Sequence, residues 1–336
     1  MPKAVIVDPY WDSLGGGERY AAAVARYLLK SGWEVDVWWK ENVSDQIKDR
    51  FGIDITQASF TRNKNLADYD LVFWVSDGSI PTSLAKKTII HFQVPFHDKT
   101  SGSSANQLQV KLYTVVCNAQ FPKSYIDKTY GISSQVIYPP VDVEVNYQGA
   151  KLDQIVCLAR FSQTLHAKRQ DVLIKAFSQL ALPGWKLVLA GGVTDPDYLA
   201  SLQKQALGLA VEFVINPTGL QARQLLSQSK LFWSATGFAV DENKFPEKLE
   251  HFGITPVEAM ASGTVPLVIA KGGHRETVVD KQSGYWWNTI EELGDLSLQL
   301  AKDDQLWEKM SQQAKIQSQK FSTSEFEKHM TTLIQL

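Results

Sequence analysis

Residues 138–142 read Tyr-Pro-Pro-Val-Asp, and this run divides the chain. Adjacent prolines lack N–H donors and stiffen the backbone, so no central strand passes through them. On the N-terminal side, short apolar runs alternate with helical patterns. The run 3–8 reads as a buried strand, and a loop follows to Gly17. A helix is expected over 18–30, where Tyr20, Ala21, Val24 and Leu28 recur at helical spacing. Gly32 closes that helix, and 34–39 is the next strand; further strands are expected at 70–76, 87–92, 113–118 and 135–138. On the C-terminal side, 143–153 is polar and aperiodic, as a linker would be. The alternation then restarts. Strands are expected at 154–159, 185–190, 211–215, 230–234, 265–269 and 284–287, with helices at 169–181, 196–207, 219–228, 255–262 and 274–279. The tail 289–335 reads as helices only.

Two such βαβ series predict an α/β protein of two Rossmann-like domains, each a parallel doubly wound sheet. The expected boundaries are 1–145 and 150–315, with 316–336 as a closing helix. Ligands bind beyond the carboxyl ends of strands in such sheets, so two facing domains would share an interdomain cleft.

Composition narrows the function. The 336 residues suit about two domains. Lys+Arg number 34 and Asp+Glu 36, for a net charge of -2. Split at residue 150, the halves hold 15 basic against 16 acidic residues and 19 against 20. Neither half has the basic excess of a nucleic-acid binder. Cys117 and Cys157 lie in apolar strand runs and read as buried thiols, not as a disulfide framework or a zinc site. The chain begins directly with a strand, so no signal peptide is expected, and no apolar run approaches a membrane span. Both readings suit the cytosol, with peripheral contact at the inner face of the membrane left open.

Three stretches carry candidate chemistry. Gly15-Gly16-Gly17-Glu18-Arg19 joins the first strand to the first helix. Bare glycines there let amides approach a phosphate or sugar, and a plain tight turn is the alternative. The stretch lacks the dinucleotide fingerprint, and Asp36 sits inside a strand, so no NAD site is read. Arg160 and Lys168 flank the loop after the first strand of the second series; two cations there suit a pyrophosphate, or a solvated basic loop. Finally, Glu250 and Glu258 are separated by seven residues in Glu-His-Phe-Gly-Ile-Thr-Pro-Val-Glu-Ala-Met-Ala-Ser-Gly, 250–263. Thr255 followed by Pro256 and Glu258 reads as a capping box, which gives Glu258 a structural alternative.

These residues resemble the retaining glycosyltransferases of family 4. Glu-x7-Glu, preceded by Arg160 and Lys168 and followed by Gly272-Gly273, carries the resemblance, with Ile90-His91-Phe92 and 138–142 in support. The resemblance implies a GT-B fold whose last helix, after Phe321-Ser322-Thr323, packs back on the N-terminal acceptor domain. It implies a nucleoside diphosphate sugar as donor partner. Arg160 and Lys168 would then hold the diphosphate, Glu250 the sugar hydroxyls and Glu258 the ribose hydroxyls. Amides of Phe252, Gly253, Ile254 and Thr255 would face sugar and phosphate, and Gly16 and Gly17 would help bind the donor. Asn216 would pass the nucleobase. His91 would lie near the sugar, with a core histidine as the alternative.

Two features depart from the family pattern. Seven residues separate Arg160 from Lys168, so Arg169 is a second candidate cation, and 235–249 is a long charged loop read as a lid or an acceptor contact. Asp68-Tyr69-Asp70 matches a metal-binding D-x-D, but it only precedes a strand, and no metal or cofactor is expected. The expected reaction is transfer of a hexose, UDP-glucose favoured, to a sugar or lipid-linked acceptor hydroxyl in cell-envelope or exopolysaccharide synthesis. A nucleotide-sugar epimerase and a non-catalytic sugar-nucleotide binder are the competing readings.

Overall fold

The structure is a computed structural model and describes residues 1–62, 65–96, 104–145, 149–163 and 167–335. The chain forms two units. One comprises Met1–Pro140 with Thr323–Leu336, the other Val141–Ser322.

In the first unit the strands are β1 (Lys3–Val7), β2 (Glu34–Trp38), β3 (Ser59–Thr61), β4 (Leu71–Ser76), β5 (Lys87–Phe92), β6 (Thr114–Cys117) and β7 (Gln135–Val136). Among the described residues they form one sheet in the order β3-β2-β1-β4-β5-β6-β7. Every pairing is parallel; Val7 of β1, for example, lies beside Trp38 of β2 and Trp74 of β4. Helices α1 (Gly16–Lys30), α2 (Ser44–Phe51), α3 (Ser104–Val110) and α4 (Gln120–Tyr130) make the crossovers. Ile6, Val24, Leu28 and Phe73 are fully buried in this core. Helix α1 begins two residues earlier than its periodicity suggests. Glu18 accepts from the Gly15 N–H and the Ser13 hydroxyl, so the turn is already capped at Gly15.

In the second unit the strands are β8 (Leu152–Leu158), β9 (Lys186–Gly191), β10 (Val211–Ile215), β11 (Ser229–Ser234), β12 (Val265–Ile269) and β13 (Tyr285–Trp287). Their order is β10-β9-β8-β11-β12-β13, again parallel throughout. The helices are α5 (Gln170–Gln179), α6 (Pro196–Gln205), α7 (Gly219–Gln228), α8 (Ile254–Ala261), α9 (His274–Thr277), α10 (Ile290–Lys302) and α11 (Asp304–Ser318). Leu173, Leu187, Trp233, Leu267 and Trp287 are fully buried between sheet and helices.

The boundary falls at Pro140, within the proline run, and β8 starts at Leu152, inside the stretch expected to be linker. The last helix, α12 (Thr323–Leu333), belongs to the first unit. Phe326 packs edge-on against Tyr20, Thr331 meets the Tyr27 hydroxyl at 2.9 Å, and Lys87 donates to the Gln335 carbonyl. Among the described residues, no helix is long and apolar enough to cross a membrane.

In both sheets the strand order reverses direction beside the first strand: between β1 and β4, and between β8 and β11. The carboxyl ends at those two points are where such sheets bind ligands.

Candidate active site

The second unit gathers its candidate residues at the carboxyl ends of β8 and β11. Residues 159–161, leaving β8, are held tightly. A Cβ at Gly191 would sit 1.9 Å from the Ala159 carbonyl oxygen, so only glycine lets the two loops touch. Phe161 N–H donates to Gly192 O, and the buried Gln170 amide donates to Arg160 O at 3.0 Å. The Arg160 side chain is exposed and makes no hydrogen bond or ion pair among the described residues.

Lys168 Nζ lies 2.7 Å from Glu250 Oε2, each side chain 21% exposed. Burial alone would push the Glu250 carboxyl up, but the Lys168 ammonium, with His274 and His251, outweighs it and holds the group at about 2. Glu250 is thus ionised at neutral pH. Arg169 is not a second free cation. Its guanidinium grips Asp171 at 3.0 Å through two nitrogens and donates to Phe238 O, while its backbone sits at φ 52° as the N-cap of α5.

The segment carrying Glu250 is set by glycines. Gly273 N–H donates to Glu250 O at 2.8 Å, and a Cβ at Gly273 would come within 2.2 Å of His251 O. A Cβ at Gly272 would come within 2.4 Å of Glu250 O. The two backbones therefore pack directly. The loop 235–249, expected as a lid or acceptor contact, is braced onto the same turn. Glu242 accepts from the Gly272 N–H and pairs with Arg275 at 3.1 Å, and Lys271 donates to Val240 O at 2.6 Å.

Helix α8 corrects the capping box. It starts at Ile254, with Gly253 as N-cap at φ 96° and no side-chain cap, so Glu258 is the fifth helical residue. A left-handed glycine sets the start ahead of Thr255, and Glu258 is half-buried on the second turn. The first amides of α8, at Ile254 and Thr255, thus open an uncapped helix N-terminus, which favours anions. The Phe252 ring turns away, 2% exposed, edge-on against Phe321.

Asn216 is held in place by its own turn. Its N–H donates to Gly191 O at 2.9 Å and its Oδ1 accepts from the Val193 N–H, so these two groups fix the turn after β9.

In the first unit, Gly16 and Gly17 form the first turn of α1 beyond β1, with Gln93 against Gly17. His91 is corrected outright. It is fully buried, its ring stacked 3.9 Å from Tyr20 and 5.7 Å from Phe73, and neither nitrogen has a partner among the described residues. Burial pushes it down to about 3. It is a core ring, not a sugar contact. Asp70 of the D-x-D run accepts from Lys3 N–H and pairs with Lys86. Among the described residues, no group of three or more His, Cys, Asp or Glu is placed to hold a metal. Both cysteines are free and buried.

Sequence reasoning missed His274. It is fully buried, with Nδ1 3.2 Å from Ile269 O and Nε2 without a partner among the described residues, and its Cδ2 packs near Gly253. Burial pushes it down to about 4, and Glu250 acts against that. Its place after Gly272-Gly273 was the available signal.

The family described as glycosyl transferases group 1 matches residues 149–317, just over half of the chain. A Dictyostelium discoideum GDP-Man:Man(3)GlcNAc(2)-PP-Dol alpha-1,2-mannosyltransferase is 29% identical over 220 residues, 59% of this chain and 41% of that protein. A Mycobacterium marinum D-inositol 3-phosphate glycosyltransferase is 30% identical over 165 residues, 44% of this chain and 32% of that one. The chain thus spans less than half the length of either relative. Among solved structures, Anabaena HepE in complex with UDP and glucose superposes with a TM-score of 0.77 at 18% identity, over 99% of both chains. Sucrose-phosphate synthase from Thermosynechococcus elongatus gives 0.73 at 14% identity, over 99% of this chain and 98% of that one. The fold is GT-B, and the chain belongs to the group 1 glycosyl transferases.

Proposed function

We propose that this protein is a retaining glycosyltransferase that moves a hexose from a nucleoside diphosphate sugar to an acceptor hydroxyl. The observation that carries this is the Lys168–Glu250 pair beside the uncapped N-terminus of α8, at the carboxyl ends of β8 and β11. Cation, ionised carboxylate and helix end meet at the one point of this sheet suited to a nucleotide.

In this reading Arg160 and Lys168 hold the diphosphate, and Ile254 and Thr255 offer it amides. Glu250 accepts hydrogen bonds from sugar hydroxyls and Glu258 from the ribose. Within the first unit, Gly16 and Gly17 offer amides at the first turn of α1, suited to a phosphate or a sugar. The bond from the sugar's anomeric carbon to the diphosphate oxygen breaks. The acceptor oxygen bonds to that carbon on the same face, and its proton passes to the leaving diphosphate. Arg160 and Lys168 offset the charge that develops there, so the step requires no metal. No described Asp or Glu is assigned as a nucleophile, because Glu250 is tied to Lys168.

The names of similar proteins mention both GDP-Man and UDP with glucose, so the donor is a question for a panel. UDP-glucose is our first choice. A sugar or lipid-linked acceptor on a cytosolic polysaccharide or envelope route suits the reading. The test is thermal shift and acceptor-dependent turnover with UDP- and GDP-sugars. One nucleotide sugar should raise the melting point by mass action and turn over only with acceptor. Isomerised donor without acceptor would mean an epimerase, and stabilisation without turnover a binder.

A further inference from the structure

We propose that Glu250 discriminates against the free nucleoside diphosphate product, by competing with the product's terminal phosphate for Lys168. The inference rests on the donor reading above.

Lys168 is not held in reserve for a phosphate. Its ammonium is 2.7 Å from a carboxylate that stays ionised far below neutral pH. The pair is not sealed, since each side chain is 21% exposed, so an anion can approach it. Glu250 also packs beside the N-cap of α8: its Cγ lies 3.4 Å from where a Gly253 Cβ would be. In the donor reading one ammonium therefore serves two anions, the carboxylate and the incoming phosphate.

The two ligands differ in how they meet that carboxylate. In a nucleotide sugar the terminal phosphate is doubly substituted, by an ester to the sugar and an anhydride to the inner phosphate, and the sugar brings hydroxyls that donate to Glu250. After transfer the terminal phosphate gains a second ionisable oxygen, carrying further negative charge at neutral pH, and the hydroxyls are gone. The carboxylate then faces an additional like charge with nothing to donate to it. Glu250 thus favours the donor twice, by accepting from its hydroxyls and by repelling what remains.

The test compares UDP and UDP-glucose, or the corresponding pair if the panel selects GDP, by calorimetry on the whole chain. Glu250→Gln keeps the shape and an acceptor for Lys168 but removes the charge. We expect the variant to bind the diphosphate about three- to tenfold more tightly, the effect of removing one like charge at a half-solvated site. It should bind the nucleotide sugar no more tightly. Unchanged or weaker diphosphate binding overturns the proposal. A ligand-side test needs no variant. The methyl ester of the terminal phosphate lacks both the extra charge and the hydroxyls, and should bind the unaltered protein more tightly than the diphosphate does; weaker binding overturns the proposal. If no nucleotide binds the unaltered protein, it is the donor reading that fails.

Discussion

His91 shows how a residue's neighbours outrank its motif. Its position in Ile-His-Phe at the end of β5 matched a sugar-contacting histidine, yet its ring stacks on Tyr20 and Phe73 and has no exposure. Those partners are distant in sequence, and no periodicity announces them. The neutral ring behaves as an aromatic with two polar atoms unmet among the described residues, and such atoms cost stability. His91→Phe should therefore leave the melting temperature equal or higher, by up to about 1–2 kcal/mol of stability, with turnover retained. A scanning-calorimetry trace with turnover measured alongside decides it; a stable variant that has lost turnover would restore the catalytic role. Glu250 is the opposite case. Glu250 and Lys168 were each legible as candidates in the sequence, but their pairing across 82 positions was not, because nothing local announces a contact between two separate loops.

Among the elements, strands buried on both faces were plain in the sequence because their apolar runs are unbroken, as in Ile155–Leu158 and Val265–Ile269. β3 was not legible. Ser59–Thr61 is three residues at a sheet edge and owes its existence to β2 alongside. Helix α8 was found, but its first turn was misread, because Thr255 has the better cap propensity while Gly253 has the conformation. That shift removes the capping duty from Glu258, and the expectation is now one-sided. Glu258→Gln should weaken nucleotide-sugar binding tenfold or more, about 1.4 kcal/mol, with an unchanged melting point. Glu258→Ala should likewise spare the roughly 1 kcal/mol that losing a cap costs. Isothermal titration and melting curves on both variants check this. A melting loss in the alanine variant with donor binding intact would return Glu258 to a structural role.

At the scale of the whole molecule, proton linkage bounds the stable pH range. Asp8, at the end of β1, is 1% exposed and has one oxygen without a partner among the described residues. Burial, then Glu18 and Asp77 nearby, push it from 3.8 up to about 7. Between those values the folded state keeps a proton that the unfolded chain has released, so stability falls as pH rises towards 7. Glu250 acts in the opposite sense. It is held at about 2 against 4.5, so its contribution is lost as pH falls from 4.5 towards 2. His274, at about 4 against 6.5, adds a loss below 6.5. Asp8→Asn should remove this decline on the acid side of pH 7 and leave the protein more stable above it by roughly 1–4 kcal/mol. Denaturant midpoints across pH 5–9 would show it (an ordinary screening range for linkage), and an unchanged slope would mean that Asp8 ionises freely.

The central claim is that a nucleoside diphosphate sugar sits at the carboxyl ends of β8 and β11 with Lys168 on its phosphates. Calorimetric titration of the panel-selected donor into the unaltered protein and into Lys168→Ala tests this most directly. A charge-assisted hydrogen bond is worth roughly 1.5–3 kcal/mol, so donor affinity should fall about 10- to 150-fold while the variant stays folded. Equal affinity in the two proteins would contradict the account.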